Sequence, residues 1–90
     1  MLCKTDLAQI SEVYFKIIRI TSCYVELMSK DTQHCWIIYK VGFSDRFPIW
    51  LYHKHNKNDQ CYHLQRRKKS FKSALNEIQQ HDMYCSTYFH

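Results

Sequence analysis

Apolar positions along the chain follow two periods. Leu7, Ile10, Tyr14, Ile17 and Ile18 recur every three or four residues, which predicts a helix over residues 5–18 capped by Thr5 or Asp6. The run from Val13 to Ile20 is also rich in β-formers, so the same residues allow the helix to stop early and a strand to begin. The period then shortens. Residues 23–28 (Cys23 to Met28) and 34–41 (His34 to Val41) read as strands, separated by the polar turn Ser29-Lys30-Asp31-Thr32-Gln33. Gly42 to Arg46 forms a loop, and Pro48 opens a third strand over residues 49–55, where a proline is tolerated at the first position. Asn56-Lys57-Asn58-Asp59 is turn chemistry, and residues 60–65 read as the fourth strand. A helix over residues 71–80 buries Phe71, Ala74, Leu75 and Ile78, with Lys72, Asn76, Glu77 and Gln79 outside.

The fold class that follows is α+β: a small antiparallel sheet of about four strands packed against an N-terminal and a C-terminal helix. The chain, residues 1–90, is expected to be one domain without repeat or linker. The tail from Met83 to His90 is apolar enough to pair with a sheet edge. Five cysteines without a CxxC pair, no apolar leader and no run long enough to span a membrane point to a cytoplasmic protein with reduced thiols.

Charge adds the clearest functional signal. The net charge is +5, and more than half of the thirteen Lys and Arg fall within residues 54–72. Arg66-Arg67-Lys68-Lys69 immediately precedes Ser70, the expected start of the second helix. Cations oppose the helix macrodipole at that end, so a bound phosphate or carboxylate would relieve their repulsion. Lys54, Lys57 and Lys72 extend the basic segment, and Trp50 and Tyr52 lie on the strand beside it. Cations track phosphates while aromatic rings stack on unpaired bases, so RNA or DNA is an expected partner. Arg66 and Arg67 would be the anchors, because a guanidinium fork matches a phosphate better than an ammonium does. The alternative is that the lysines are solvated and the aromatics belong to the core.

Catalytic and metal chemistry are less well supported. His53, His55, Cys61 and His63 flank one turn and suit zinc by type. A turn centred on Lys57-Asn58 would pair His53 with Tyr62 and Tyr52 with His63. That register puts His53 and His55 on one face and Cys61 and His63 on the other. Convergence would need an odd-length loop or a bulge, and help from elsewhere, so no metal is expected. His34 and Cys35 are adjacent and point to opposite faces of a strand. Cys61 and His63 share a face, the one opening for an enzymatic reading. A single glycine excludes a P-loop and a dinucleotide fingerprint, and the acidic residues are scattered singly, so no cofactor is expected. Tyr39 to Arg46 resembles the second half of a GIY-YIG nuclease motif, but the glycine-led first half is missing.

Three stretches carry a broader resemblance: His34-Cys35-Trp36-Ile37-Ile38, Pro48 to His55, and Ser73-Ala74-Leu75 with His81-Asp82-Met83-Tyr84. They resemble short proteins of mobile elements in Gram-positive bacteria. In size and lack of an enzymatic signature the chain is similar to anti-CRISPR proteins. The resemblance implies a non-enzymatic inhibitor that occludes a Cas effector or another nucleoprotein, touching guide RNA or an acidic protein face. A small basic DNA- or RNA-binding regulator is the alternative.

Overall fold

The computed structural model describes residues 1–41 and 46–88, with side chains described through Cys85; residues 42–45 of the expected loop and 89–90 of the tail lie outside the described residues. The elements are α1 (Lys4–Ala8), β1 (Phe15–Ile20), β2 (Tyr24–Ser29), β3 (Cys35–Lys40), β4 (Ile49–Lys54), β5 (His63–Lys68) and α2 (Phe71–Tyr88). The strands form a five-stranded sheet in sequence order, and each neighbouring pair is antiparallel. The chain is therefore α+β, with a sheet, a long C-terminal helix and a short N-terminal one.

The first helix ends at Ala8, not near residue 18, and the β-rich run becomes the additional strand β1. Alternation explains the outcome. Phe15 and Ile17 reach the core from β1, while the backbone pairs with β2 through Phe15↔Ser29 and Ile17↔Leu27. The β-branched Ile17, Ile18 and Ile20 favour extended backbone, and the pairing with β2 holds them there although Ile18 and Ile20 remain exposed. The short α1 is held by Asp6, whose Oδ2 accepts the Cys3 N–H at 3.1 Å and the Lys40 Nζ at 2.9 Å.

One face of the sheet is packed by a single cluster: Phe15, Val25, Leu27, Trp36, Ile38, Ile49 and Leu51 meet Phe71, Ala74, Leu75 and Ile78 of α2. Each fully buried large side chain contributes roughly 1.5–3 kcal/mol relative to exposure. The expected apolar stripe of α2 is thus the buried one. Glu77 is the exception, because it is half-buried against β5 instead of facing outward. The helix also continues past residue 80 to Tyr88, where a sheet-edge segment was expected. Its inward positions after Ile78 are polar, which hid the continuation. Trp36 is wholly buried, and its indole N–H donates to Ser29 Oγ at 3.1 Å. That bond satisfies a donor that would otherwise be costly in the core.

The strand around His63 differs from expectation in register. β5 begins at His63, so Cys61 and Tyr62 precede it, and the ladder is irregular between Leu51 and Tyr52. Tyr52 pairs with Leu64 and His53 with His63. Leu51 faces Arg66, so Gln65 is the extra residue that moves His63 to the face of His53.

Candidate functional site

Alternation places a second set of side chains on the sheet face opposite the core. The row Tyr24, Tyr39, Trp50 and Arg67 crosses β2 to β5 through direct cross-strand pairs. The Tyr24 and Tyr39 rings stack with centroids 6.3 Å apart and planes 17° from parallel. The Arg67 guanidinium lies 4.6 Å from the Trp50 ring centre. The Trp50 indole N–H donates to the Phe47 carbonyl at 3.2 Å, which fixes the ring orientation. The next row is Glu26, Ile37, Tyr52 and Leu64. Tyr24, Tyr39, Trp50 and Tyr52 are all half-buried, and neither helix covers them. Trp50 and Tyr52 therefore belong to the face away from the core, as a binding role would require.

One end of this face is closed by the β4–β5 loop. Tyr62 donates its hydroxyl to Glu26 Oε2 at 2.7 Å, and Lys54 Nζ sits 4.7 Å from the centre of the Tyr62 ring. Burial, and then the bond to Glu26, hold the Tyr62 hydroxyl protonated far above its ordinary range. Beneath it, burial raises the pKa of the Cys35 thiol. Lys54 also donates to the backbone carbonyls of Lys57 and Asp59, so it ties the loop down, while Lys57 is exposed.

The basic run divides by face, because Arg66 to Lys68 lie on a strand and not in a helix-leading loop. Arg66 Nε and Lys68 Nζ turn toward α2 and reach the two Glu77 oxygens at 3.3 and 3.1 Å. Arg67 alone of the three turns to the aromatic face. Lys69 and Lys72 are exposed. The start of α2 is capped internally: the Ser73 N–H donates to Ser70 Oγ at 3.1 Å, and the Ser70 N–H to Ser73 Oγ at 3.3 Å. Phe47, Arg67, Lys68, Lys69 and Ser73 line a cavity of about 250 Å³ at the Trp50 end of the sheet.

A separate cluster lies at the other end of the core face. His34, just before β3, His53 on β4 and His81 on α2 bring their ligand nitrogens within 4.8 Å of one another. His34 Nδ1 and His53 Nε2 are 2.9 Å apart and share a hydrogen bond. The ring of His55 is 5.2 Å from those of His34 and His53, and that of His63 is 5.2 Å from His53. His53 is buried against Trp36, at 4.2 Å between ring centres. Burial first, and then the neighbouring imidazoles led by His81, press its pKa down to about 3. His34 is lowered for the same reasons, burial leading. Both are neutral at ordinary pH, which leaves ring lone pairs for hydrogen bonding or coordination.

Of the turn-flanking residues that suit zinc by type, His55 and His63 each approach His53, whereas Cys61 is exposed and outside the group. His34 and His81 come from distant segments that no local spacing connects. The i, i+4 pair His81 and Cys85 on one helix face was the available signal, with Cys85 Sγ 3.7 Å from His81 Nδ1. No protein-family model, curated protein or solved structure matches the chain.

Proposed function

We propose that the protein binds single-stranded RNA or DNA on the aromatic face of its sheet. The observation that carries this reading is the row Tyr24, Tyr39, Trp50 and Arg67. Rings in such a row offer successive stacking platforms, and the guanidinium over Trp50 supplies a cation where a phosphate would follow its base. Lys69 and the cavity it shares with Arg67 extend the phosphate track beyond the sheet edge. Lys16 and Arg19 on β1 give the far side of the face the same sign of charge. A duplex keeps its base faces stacked internally, so the aromatic row favours unpaired bases.

Fluorescence polarisation of labelled single- and double-stranded oligonucleotides, at low and moderate salt, tests the reading. Single strands should bind more tightly than duplexes, with log K falling by about 0.7 per phosphate for each unit of log salt. Equal binding to both forms, unchanged in a folded Trp50→Ala variant, would remove the basis of the proposal.

A second reading keeps the same surface but seats it on a nucleoprotein, as the anti-CRISPR-like profile implies. The apolar share of the face (Ile37, Met28 and Leu64) favours it, because bare nucleic acid needs no aliphatic contact. Tight association with an RNA-loaded Cas effector, together with weak binding to the free guide RNA, distinguishes this case. A reducing cytoplasm suits either reading, since all five cysteines are free and Cys3 and Cys61 are exposed. No helix among the described residues is long and apolar enough to cross a membrane.

A further inference from the structure

We propose that His34, His53 and His81 form a binding site for a divalent transition-metal ion of the zinc class, with a fourth coordination position facing solvent. The site is independent of the aromatic face and lies on the opposite side of the sheet.

Geometry is the first support. Three imidazole nitrogens at about 2.0–2.1 Å from a tetrahedral zinc would stand roughly 3.3 Å from one another. The nitrogens here run from 2.9 Å, between His34 and His53, up to 4.8 Å across the group. Coordination would require the widest separation to close by about 1.5 Å, through rotation of the half-buried His34 and His81 rings. His53 is 3% exposed and held against Trp36, so one ligand is already fixed. His81 packs on the same indole at 5.0 Å between ring centres, edge to face. The helix and the strand therefore present their ligands from a rigid base.

The second support comes from what surrounds the group. A cavity of about 520 Å³, lined by Asp31, Thr32, His34, His55, His81, Tyr84 and Cys85, opens beside it. A metal held by three histidines at such a wall keeps one position for water. Thr32 Oγ1 donates to Asp82 Oδ1 at 3.0 Å, and that same oxygen is 3.9 Å from His81 Nδ1. This contact ties the turn that carries His34 to the helix that carries His81.

The third support is the sequence of α2. Its buried stripe runs Phe71, Ala74, Leu75 and Ile78, then changes to His81 and Cys85 at the same spacing. A helix that served packing alone would continue the stripe with apolar residues. Hydrogen bonding by itself also explains less. One proton joins His34 to His53, while the His81 ring stands 5.0 Å from that of His34 and 4.8 Å from that of His53. An ion would join all three.

The experiment uses the full chain freed of metal by a chelator and dialysis. Zn²⁺ is titrated by calorimetry, and Co²⁺ is followed by visible absorption, which separates tetrahedral from octahedral coordination by band intensity. The expected result is one ion per chain, intense tetrahedral Co²⁺ bands, and a Tm about 10 °C or more higher at a hundredfold excess of Zn²⁺ over Kd. His34→Gln and His81→Gln should each weaken Zn²⁺ binding by about 100-fold, while His63→Gln leaves it within a few-fold. Both substitutions lie at half-buried positions, and circular dichroism of the metal-free variants checks that they fold. If they do not fold, the wild-type Co²⁺ spectrum and Tm shift decide. An octahedral spectrum without a Tm shift, or Zn²⁺ binding that survives both variants but is lost in His63→Gln, would overturn the site.

Discussion

Arg66 and Arg67 are adjacent, identical in charge and opposite in direction, so their removal should have different effects. Arg67→Gln removes the guanidinium stacked 4.6 Å from Trp50. Loss of one member of a base-stacking row costs about 1–3 kcal/mol of nucleic-acid binding, or roughly 5- to 150-fold in Kd. The slope of log K against log salt should flatten by about 0.7, one phosphate contact fewer. Arg66→Gln instead removes the 3.3 Å contact to Glu77 from a side chain that is 63% exposed. Lys68 still holds Glu77 at 3.1 Å. The loss is therefore that of an exposed ion pair, about 0.2–1 kcal/mol of stability, which lowers Tm by no more than roughly 8 °C in a domain of this size. Its effect on Kd should stay within about threefold at moderate salt, because the charge faces the helix side and is screened. Polarisation with a labelled single strand gives the first readout, and a thermal melt gives the second. Equal losses of binding in the two variants would show that net charge and not the aromatic face governs affinity.

Ser29→Ala should lower stability by about 1–3 kcal/mol, seen as a reduced denaturation midpoint, because the buried Trp36 indole N–H then has no acceptor. A Trp36→Phe change on top of it should cost less than the two single losses combined. Ile78→Ala should cost about 2–5 kcal/mol by opening a cavity between α2 and the sheet. Asp6 gives a pH prediction with a definite sign. Burial alone would raise its carboxyl pKa, but the bonds from Lys40 and Cys3 outweigh burial and hold it below the ordinary 3.8. The stabilisation is therefore complete above pH 3.8 and lost as pH falls through the lower folded value. Melts between pH 2 and 5 should show a Tm decrease in the wild type that is reduced in Asp6→Asn.

The parts of the fold legible in the sequence were those whose periodicity had one meaning. β2, β3 and β4 are runs of β-branched and aromatic residues bounded by polar turns, and the α2 stripe has helical spacing, so each lay close to where the pattern put it. The N-terminal segment was harder, because Leu7, Ile10, Tyr14 and Ile17 fit a helix while Phe15 and Ile17 fit a strand. Pairing with β2 decided between them, and that is a long-range effect. The same holds at the sites. Trp50, Tyr52 and Lys54 share a face by simple alternation, and they were legible together. Tyr24 and Tyr39 joined them only through the ladder register. The extra residue Gln65 turned His63 to the side of His53, reversing the face expected for a regular hairpin. His34 and His81 reach His53 through the fold, which no spacing along the chain encodes.

A ¹H–¹⁵N correlation spectrum recorded during titration with a short single strand reports which face of the sheet the strand touches. The two tryptophans give separate indole signals on opposite faces, Trp50 in the aromatic row and Trp36 in the core. With the strand on the aromatic face, the Trp50 indole and the amides of Tyr24, Tyr39, Tyr52 and Arg67 should shift together while the Trp36 indole stays in place. Shifts confined to α2 and the histidine end, or none at saturating strand, would contradict that placement.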